Sequence, residues 1–211
     1  MNYLIQKIDQ MIEEKSLLKH PFYQTWSDGK LTPEALAGYS KEYYQLVKAV
    51  PKFMEPLIKE TPEMMKGELY SNQQEETSHI ELWERFASAM GISHDELINY
   101  DGLKKTNQAI SDLFSTITSF ESGSAAMYAF EKEIPKISQI KLDGLAEFYG
   151  LTSENATEYF KQHTEADIRH AASWRKIIEQ SSGHDNDIIY AAKKSISSQN
   201  LLLDSCFEEY C

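Results

Sequence analysis

Three residues in the C-terminal third of the chain combine the side-chain types and the spacing of a metal site: His163, Asp167 and His170. On one α-helix, spacings of four and seven residues place the three side chains within about 60° of one another on one face. Two imidazoles and a carboxylate that point the same way can bind a divalent metal ion. A single triplet of this kind also occurs on solvated helix faces, so the prediction depends on further ligands elsewhere in the chain.

A second pair of candidate ligands lies near the middle of the chain. Glu75 and His79 are four residues apart on a predicted helix and therefore share a face. Glu76 is an alternative to Glu75, because it precedes His79 by three residues and spacing alone does not decide between the two glutamates.

A third candidate ligand is Glu131, which follows the small and apolar run Ala125–Phe130. Such a run is typical of a buried helix, where a carboxylate is costly unless it is paired or bound to a cation. Pro135 cannot donate a hydrogen bond to the carbonyl group of Glu131. The sequence therefore predicts a kink or a loosened turn beside this side chain.

Together the candidates form a set of three carboxylates and three imidazoles: Glu75, His79, Glu131, His163, Asp167 and His170. Dimetal carboxylate proteins bring Glu and His side chains from facing helices into the core of a bundle. Three carboxylates would leave two ferrous ions with a net charge of about +1, so the buried charge is nearly balanced. The set predicts a centre of two metal ions, iron with iron or iron with manganese.

The composition limits the class of protein. The 211 residues include 21 Lys and Arg against 33 Asp and Glu, which gives a net charge of −12. We therefore expect no nucleic-acid partner. No stretch is apolar enough to cross a bilayer and the N-terminus does not look like a signal peptide, so we expect no membrane partner and a cytoplasmic location. Cys206 and Cys211 have the spacing of neither a zinc site nor a disulfide framework.

Helical periodicity runs along almost the whole chain, and no segment alternates convincingly with the period of a strand. The sequence predicts an all-α bundle of seven or eight helices. We expect a single domain over residues 1–211, with residues 205–211 as a flexible tail. The candidate ligands fall on three predicted helices: one from Pro62 towards Met90, one from Ser124 to Tyr149, and one from Thr152 to about Ser181.

Several segments carry a family resemblance, which covers nearly the whole chain and is densest in residues 20–27, 31–44, 49–52, 79–83, 128–135 and 163–170. The chain resembles the heme oxygenase-like diiron oxidases, and within them the CADD-like branch, the proteins similar to the Chlamydia protein associating with death domains. These proteins are related to the TenA/PqqC-like fold family. The resemblance implies a heme oxygenase-like helical bundle, usually a homodimer.

The resemblance also implies an activity. CADD-like proteins make p-aminobenzoate for folate by cleaving one of their own tyrosines with a dimetal centre, O2 and an external reductant. By resemblance the cleaved residue is Tyr23, and the amino group comes from Lys141. Tyr39 and Tyr43 match aromatic residues near the family's site that relay oxidising equivalents. Each chain would react once, because Tyr23 is consumed.

The residues alone also allow plainer interpretations. Tyr23 lies among Phe22 and Trp26, as a core aromatic residue does, and a single lysine such as Lys141 is usually solvated. An ordinary turnover oxidase of this fold would act on an external amino acid or fatty acid and leave Tyr23 intact. An interaction protein that binds a host death-domain protein is a further alternative, implied only by the resemblance. The metal-free thiaminase-like branch needs a cysteine nucleophile, which the C-terminal position of both cysteines disfavours.

Two positions depart from the family pattern. The family separates its first glutamate and histidine by about two helical turns, whereas Glu75 and His79 are one turn apart, which leaves Glu76 as the alternative. Phe130 also stands where the family often has a tyrosine before the third carboxylate.

Overall fold

The computed structural model describes residues 2–211. Twelve α-helices and one 3₁₀ turn, Leu17–Lys19, make up this range, and no strand occurs within it. The helices are α1 Tyr3–Glu14, α2 Pro21–Ser27, α3 Pro33–Val47, α4 Val50–Glu60, α5 Glu63–Ala89, α6 His94–Ile98, α7 Lys104–Phe114, α8 Phe120–Glu131, α9 Ile134–Glu147, α10 Glu154–His163, α11 Ala166–Gln180 and α12 Asp185–Tyr210. None of these helices is both long and apolar enough to cross a membrane.

The all-α prediction is confirmed, but the described residues form more helices than the predicted seven or eight. Part of the difference arises because two predicted helices are interrupted, and the rest because α2 and α4 are additional helices. The segment 124–149 divides into α8 and α9 at Lys132 and Glu133, two residues before Pro135. The segment 152–181 divides into α10 and α11 at Thr164 and Glu165. Both interruptions lie directly beside a candidate metal ligand.

The helix starts follow local sequence chemistry. The side chain of Thr32 accepts a hydrogen bond from the backbone N–H of Ala35 at 3.1 Å, and Pro33 occupies the first turn of α3. Proline suits this position because its fixed φ is helical and the first N–H groups of a helix have no internal partner. The capping therefore sets where α3 begins, and α3 carries Tyr39 and Tyr43.

Helix α8 lies at the centre of the bundle, packed against α11 and α12. Every residue from Ser122 to Glu131 is buried. Small side chains allow its neighbours to approach closely: a Cβ atom at Gly123 would lie 2.3 Å from the side chain of Leu57. Ser195 of α12 donates a hydrogen bond to the carbonyl group of Ala126 at 2.8 Å. This close packing places Glu131, the last residue of α8, inside the protein.

The predicted flexible tail is wrong. Helix α12 continues to Tyr210, and Ser205 and Cys206 are buried. The hydroxyl group of Tyr210 donates a hydrogen bond to the buried carboxylate of Glu42 at 3.3 Å. Apolar packing on one face of α12 and this hydrogen bond hold the end of the helix against the bundle.

Candidate metal centre and tyrosine–lysine cluster

Candidate ligands from helices α5, α10 and α11 converge in two adjacent groups. Glu76, His79 and His163 form one group, in which one ligand atom from each residue lies within 4.8 Å of the others. Glu76, Asp167 and His170 form the other group by the same measure. All five residues are buried. Because Glu76 belongs to both groups, the arrangement fits two neighbouring cations that share one carboxylate.

The ligands predicted on one helix come from two helices. His163 is the last residue of α10, and Asp167 is the second residue of α11. The backbone N–H of Thr164 bonds back to the carbonyl of Phe160 at 3.1 Å, and α11 starts two residues later. The prediction of one continuous helix face is wrong, but the side chains still meet at Glu76. The break assigns His163 to one group and Asp167 with His170 to the other.

The structure places Glu76, rather than Glu75, at the centre of the site. Glu76 is 7% exposed, and its carboxylate lies 3.4 Å from His79, 4.0 Å from His163 and 3.3 Å from His170. Although burial alone raises the pKa of a carboxyl group, contacts with these histidines lower the pKa of Glu76 below its usual range. The sequence contains a signal that favours Glu76 as the ligand. Glu76 is seven residues from each of the apolar residues Leu69 and Trp83, and this spacing places it on the buried face of α5.

Glu75 lies at the rim of the site. Its carboxylate contacts the guanidinium group of Arg169 at 2.9 Å and Nε2 of His170 at 3.1 Å. The hydrogen bond from Arg169 and the contacts with His170 lower the pKa of Glu75. Since the other nitrogen of His170 faces Glu76 at 3.3 Å, Glu75 is placed to orient this imidazole, as outer carboxylates do at metal sites.

The environment of His163 favours the neutral imidazole, the form that can bind a metal ion. Its Nδ1 lies 2.7 Å from the backbone carbonyl of Tyr159, which accepts a hydrogen bond from the ring and leaves Nε2 facing Glu76. Burial lowers the pKa of His163 to about 4. The imidazole is therefore uncharged at neutral pH, the form that binds metal ions.

Glu131 adds a third carboxylate to the site. It is 1% exposed, and neither carboxylate oxygen has a hydrogen-bond partner among the described residues. Burial, followed by the nearby Asp167 and Glu76, raises the pKa of Glu131 well above its usual value. Burial and Glu76 do the same to Asp167. Mutual repulsion of this kind is relieved when a cation is bound between the carboxylates.

Buried polar atoms without a partner indicate where a cation would bind. In residues 2–211 such side-chain atoms occur on Glu76, His79, Glu131, Asp167, His170, Asn72 and Trp174. Buried polar groups are nearly always paired, so an isolated cluster of unpaired acceptors is typical of a site for an ion. The donor set, carboxylate oxygens with imidazole nitrogens, suits iron or manganese. These residues fit a dimetal centre, and the role of each ligand stays a prediction. Asn72 and Trp174 were missed by the analysis of the sequence.

The second predicted cluster also comes together. The hydroxyl groups of Tyr23 and Tyr39 are 3.3 Å apart, and Lys141 Nζ donates a hydrogen bond to the Tyr39 hydroxyl group at 2.5 Å. The same nitrogen lies 4.7 Å from the centre of the Tyr23 ring and 5.0 Å from that of Tyr43. All four residues are buried, with Lys141 only 4% exposed. Burial lowers the pKa of Lys141 well below its ordinary value, which favours the neutral amine.

A continuous series of aromatic contacts connects the two clusters. His163 stacks on Tyr159 with ring centres 4.0 Å apart. Tyr159 packs against Trp83 at 4.6 Å, Trp83 against Tyr43 at 4.7 Å, and Tyr43 against Tyr39 at 5.3 Å. Trp83 and Tyr159 were not singled out in the sequence as parts of the site.

The chain is similar to proteins of known family. Residues 37–199 match a protein family described as iron-containing redox enzymes. The chain is 34% identical to a Chlamydia muridarum protein named 4-aminobenzoate synthase, over 99% of this chain and 91% of the relative. It is 31% identical to a Nitrosomonas europaea protein of the same name, over 100% of this chain and 93% of the relative.

Solved structures share the fold. A TenA homolog from Pseudomonas syringae superposes with a TM-score of 0.84 at 18% identity, over 98% of this chain and 93% of that protein. A CADD-like protein from Nostoc punctiforme superposes with a TM-score of 0.65 at 17% identity, over 100% of this chain and 98% of that protein. With the family match and the full-length relatives, these findings show that the chain is an oxidoreductase that belongs to the heme oxygenase-like family of iron-containing redox enzymes.

Proposed function

We propose that this protein is a dimetal-dependent 4-aminobenzoate synthase that uses its own Tyr23 as the source of the product and Lys141 as the source of the amino group. The names of the full-length relatives support the product. The observation that carries the proposal is the position of a buried lysine amine 4.7 Å from the centre of the Tyr23 ring.

The metal ions would be held by the buried ligand groups, with Glu76 shared between them. His79 and His163 would complete one position, and Asp167, His170 and Glu131 the other. When bound, iron with iron or iron with manganese supplies the oxidising power that O2 and an external reductant generate at such centres. The remaining chemistry depends on where the protein places its own side chains.

Tyr23 is suited to supply the carbon skeleton. Its side chain already has a six-membered ring with a carbon attached opposite the hydroxyl group. Breaking the Cα–Cβ bond would free that ring with one carbon, which oxidation by O2 converts to the carboxylate. The Lys141 nitrogen must then bond to the oxidised ring carbon while the hydroxyl oxygen leaves as water. Oxidation at Cε of Lys141, with O2 as the oxidant, and hydrolysis of the resulting imine would break the Cε–N bond and leave an aldehyde on the lysine side chain. The 3% exposure of Tyr23 keeps bulk water away during these steps.

Tyr39 and Lys141 lie where they can accept the phenolic proton of Tyr23. Burial raises the pKa of Tyr23 above its ordinary value, so the ring starts as a neutral phenol. Removal of an electron makes a phenol strongly acidic, and Tyr39 Oη at 3.3 Å can accept the proton. Tyr39 can in turn pass its own proton to the neutral amine of Lys141. Once Lys141 has released this proton again, which its lowered pKa favours, its lone pair is free for attachment to the ring.

The aromatic contacts support transfer of oxidising equivalents from the metal centre to Tyr23. Four aromatic rings lie between His163 and Tyr23, and each ring contacts the next in the order Tyr159, Trp83, Tyr43 and Tyr39. Tyr39 and Tyr23 complete the series, with ring centres 6.4 Å apart. Phe130 has no hydroxyl group, so its position cannot take part as a tyrosine would.

Peptide mass spectrometry tests this function directly. Protein loaded with iron and manganese is exposed to O2 and reductant while released 4-aminobenzoate is measured. We expect loss of the Tyr23 side chain in step with the product, at no more than about one product per chain. A Tyr44→Phe variant is the control, because Tyr44 is also buried but donates its hydrogen bond to Glu84. It should still form product, whereas Tyr23→Phe should form none. An intact Tyr23 in protein that consumes O2 would instead indicate an external substrate.

A further inference from the structure

Trp174 is an unusual tryptophan in this protein. The indole N–H of Trp83 donates to the carbonyl of Ser40 at 2.7 Å, and that of Trp26 donates to the carbonyl of Lys141 at 3.4 Å. The indole N–H of Trp174 has no acceptor among the described residues, although the side chain is completely buried. A buried N–H group without a partner is costly, so its retention needs an explanation.

The position of Trp174 suggests its partner. It follows Asp167 by seven residues and His170 by four on α11, so the three side chains share one face of this helix. Helix α11 packs against α8, which ends at Glu131. Both carboxylate oxygens of Glu131 and the indole nitrogen of Trp174 are buried without a hydrogen-bond partner. The same packed pair of helices, α8 and α11, therefore contains a donor without an acceptor and a carboxylate without a donor.

We propose that Trp174 is a positioning residue of the metal centre, whose indole N–H holds one oxygen of Glu131 while the other oxygen binds a metal ion. This inference rests on the metal-binding part of the proposed function and not on the product. A carboxylate that binds a metal through one oxygen keeps acceptor capacity on the other, and hydrogen bonds to that oxygen fix its orientation. The ring of Trp174 has no contact with a reacting atom in this role.

Manganese affinity tests the proposal. Mn(II) binding to the whole chain is measured without O2, by the electron paramagnetic resonance signal of the free ion. Trp174→Phe removes the N–H but keeps an aromatic ring, and we expect about 10- to 100-fold weaker binding at one of the two positions. Trp26→Phe is the matched control, because it removes an equally buried indole whose acceptor is a backbone carbonyl. Its manganese affinity should be unchanged.

A double-mutant cycle separates positioning from a general packing role. If Trp174 acts through Glu131, Trp174→Phe should weaken binding in the native chain but have no further effect in a Glu131→Ala chain, which has no acceptor at this position. An equal loss in both backgrounds, or no loss in the native chain, would overturn the proposal. Because these measurements need neither O2 nor product, they are independent of whether Tyr23 is consumed.

A spectroscopic measurement covers the case in which Trp174→Phe does not fold. The indole N–H resonance of Trp174 is identified in the native chain by eliminating those of Trp26 and Trp83 with single Phe substitutions. On addition of Zn(II), a diamagnetic probe, we expect this resonance to move downfield as the hydrogen bond to Glu131 forms. A resonance that does not move while zinc binds would contradict the inference.

Discussion

Glu76→Gln is expected to abolish tight binding of both metal ions, whereas Glu75→Gln, one residue away, is expected to leave two ions bound. The carboxylate of Glu76 lies within reach of three imidazoles and belongs to both groups of ligands. Its replacement by a neutral amide removes the charge that both cations would share. Glu75 contacts His170 from the rim, so its loss should weaken affinity by about tenfold, the range found for outer partners of metal ligands.

The measurement is the number of Fe(II) or Mn(II) ions bound per chain after anaerobic loading and desalting. The two variants are matched, because they make the same substitution at neighbouring positions of α5. Thermal unfolding of the metal-free proteins checks that both variants are folded. If Glu76→Gln kept two metal ions and Glu75→Gln lost them, Glu75 would be the ligand, as predicted from the sequence.

Lys141→Met is expected to abolish 4-aminobenzoate formation and, at the same time, to stabilise the fold. The amine is the only proposed nitrogen source, so no product should form. Replacing a buried amine with an apolar side chain of similar length removes the cost of keeping an ionisable group out of water. The hydrogen bond to Tyr39 is lost in exchange. A change that removes activity but raises stability is typical of a residue retained for chemistry.

The stability gain should depend on pH with a definite sign. The pKa of Lys141 is lowered in the folded state, so between its folded and unfolded pKa values the unfolded chain binds more protons. The stability of the native chain therefore rises with pH up to the ordinary lysine pKa of about 10.4. The gain in unfolding free energy from Lys141→Met, measured by urea unfolding, should therefore fall as the pH rises from neutral towards pH 10. Lys136→Met, at an exposed position of the same helix, should show no such trend.

The fold class followed from periodicity and capping, but the breaks in the helices did not. The break between α8 and α9 was foreseeable as a kink, because Pro135 removes a hydrogen-bond donor. The break between α10 and α11 falls at Thr164 and Glu165, where no proline or glycine interrupts the sequence. Helix α10 packs mainly against α5 and α11 mainly against α8, and the local sequence does not specify this packing. The same reason explains the predicted tail, because apolar packing and the hydrogen bond from Tyr210 to Glu42 hold residues 205–210 in α12.

The candidate site was predictable in its residue types more than in its exact members. The histidines and Asp167 meet around Glu76, although the break after His163 assigns them to two groups rather than to one helix face. The choice between Glu75 and Glu76 depends on the buried face of α5, which Leu69 and Trp83 mark in the sequence by their spacing of seven residues from Glu76. No sequence motif marks Trp174 as part of the site. It is singled out by its unpaired indole nitrogen, which only the three-dimensional packing shows.

Consumption of the buried Tyr23, as proposed, would shorten the lifetime of the protein. Its ring packs against Phe22 and Tyr39 in the hydrophobic core. A chain that has given up this ring carries a void of aromatic size, and truncations of large core aromatics cost about 3–5 kcal/mol. That is a large part of the total stability of an ordinary domain. Each spent molecule would therefore be marked for removal by its own weakened core, so that a cell's proteases could distinguish used copies from fresh ones without a dedicated signal.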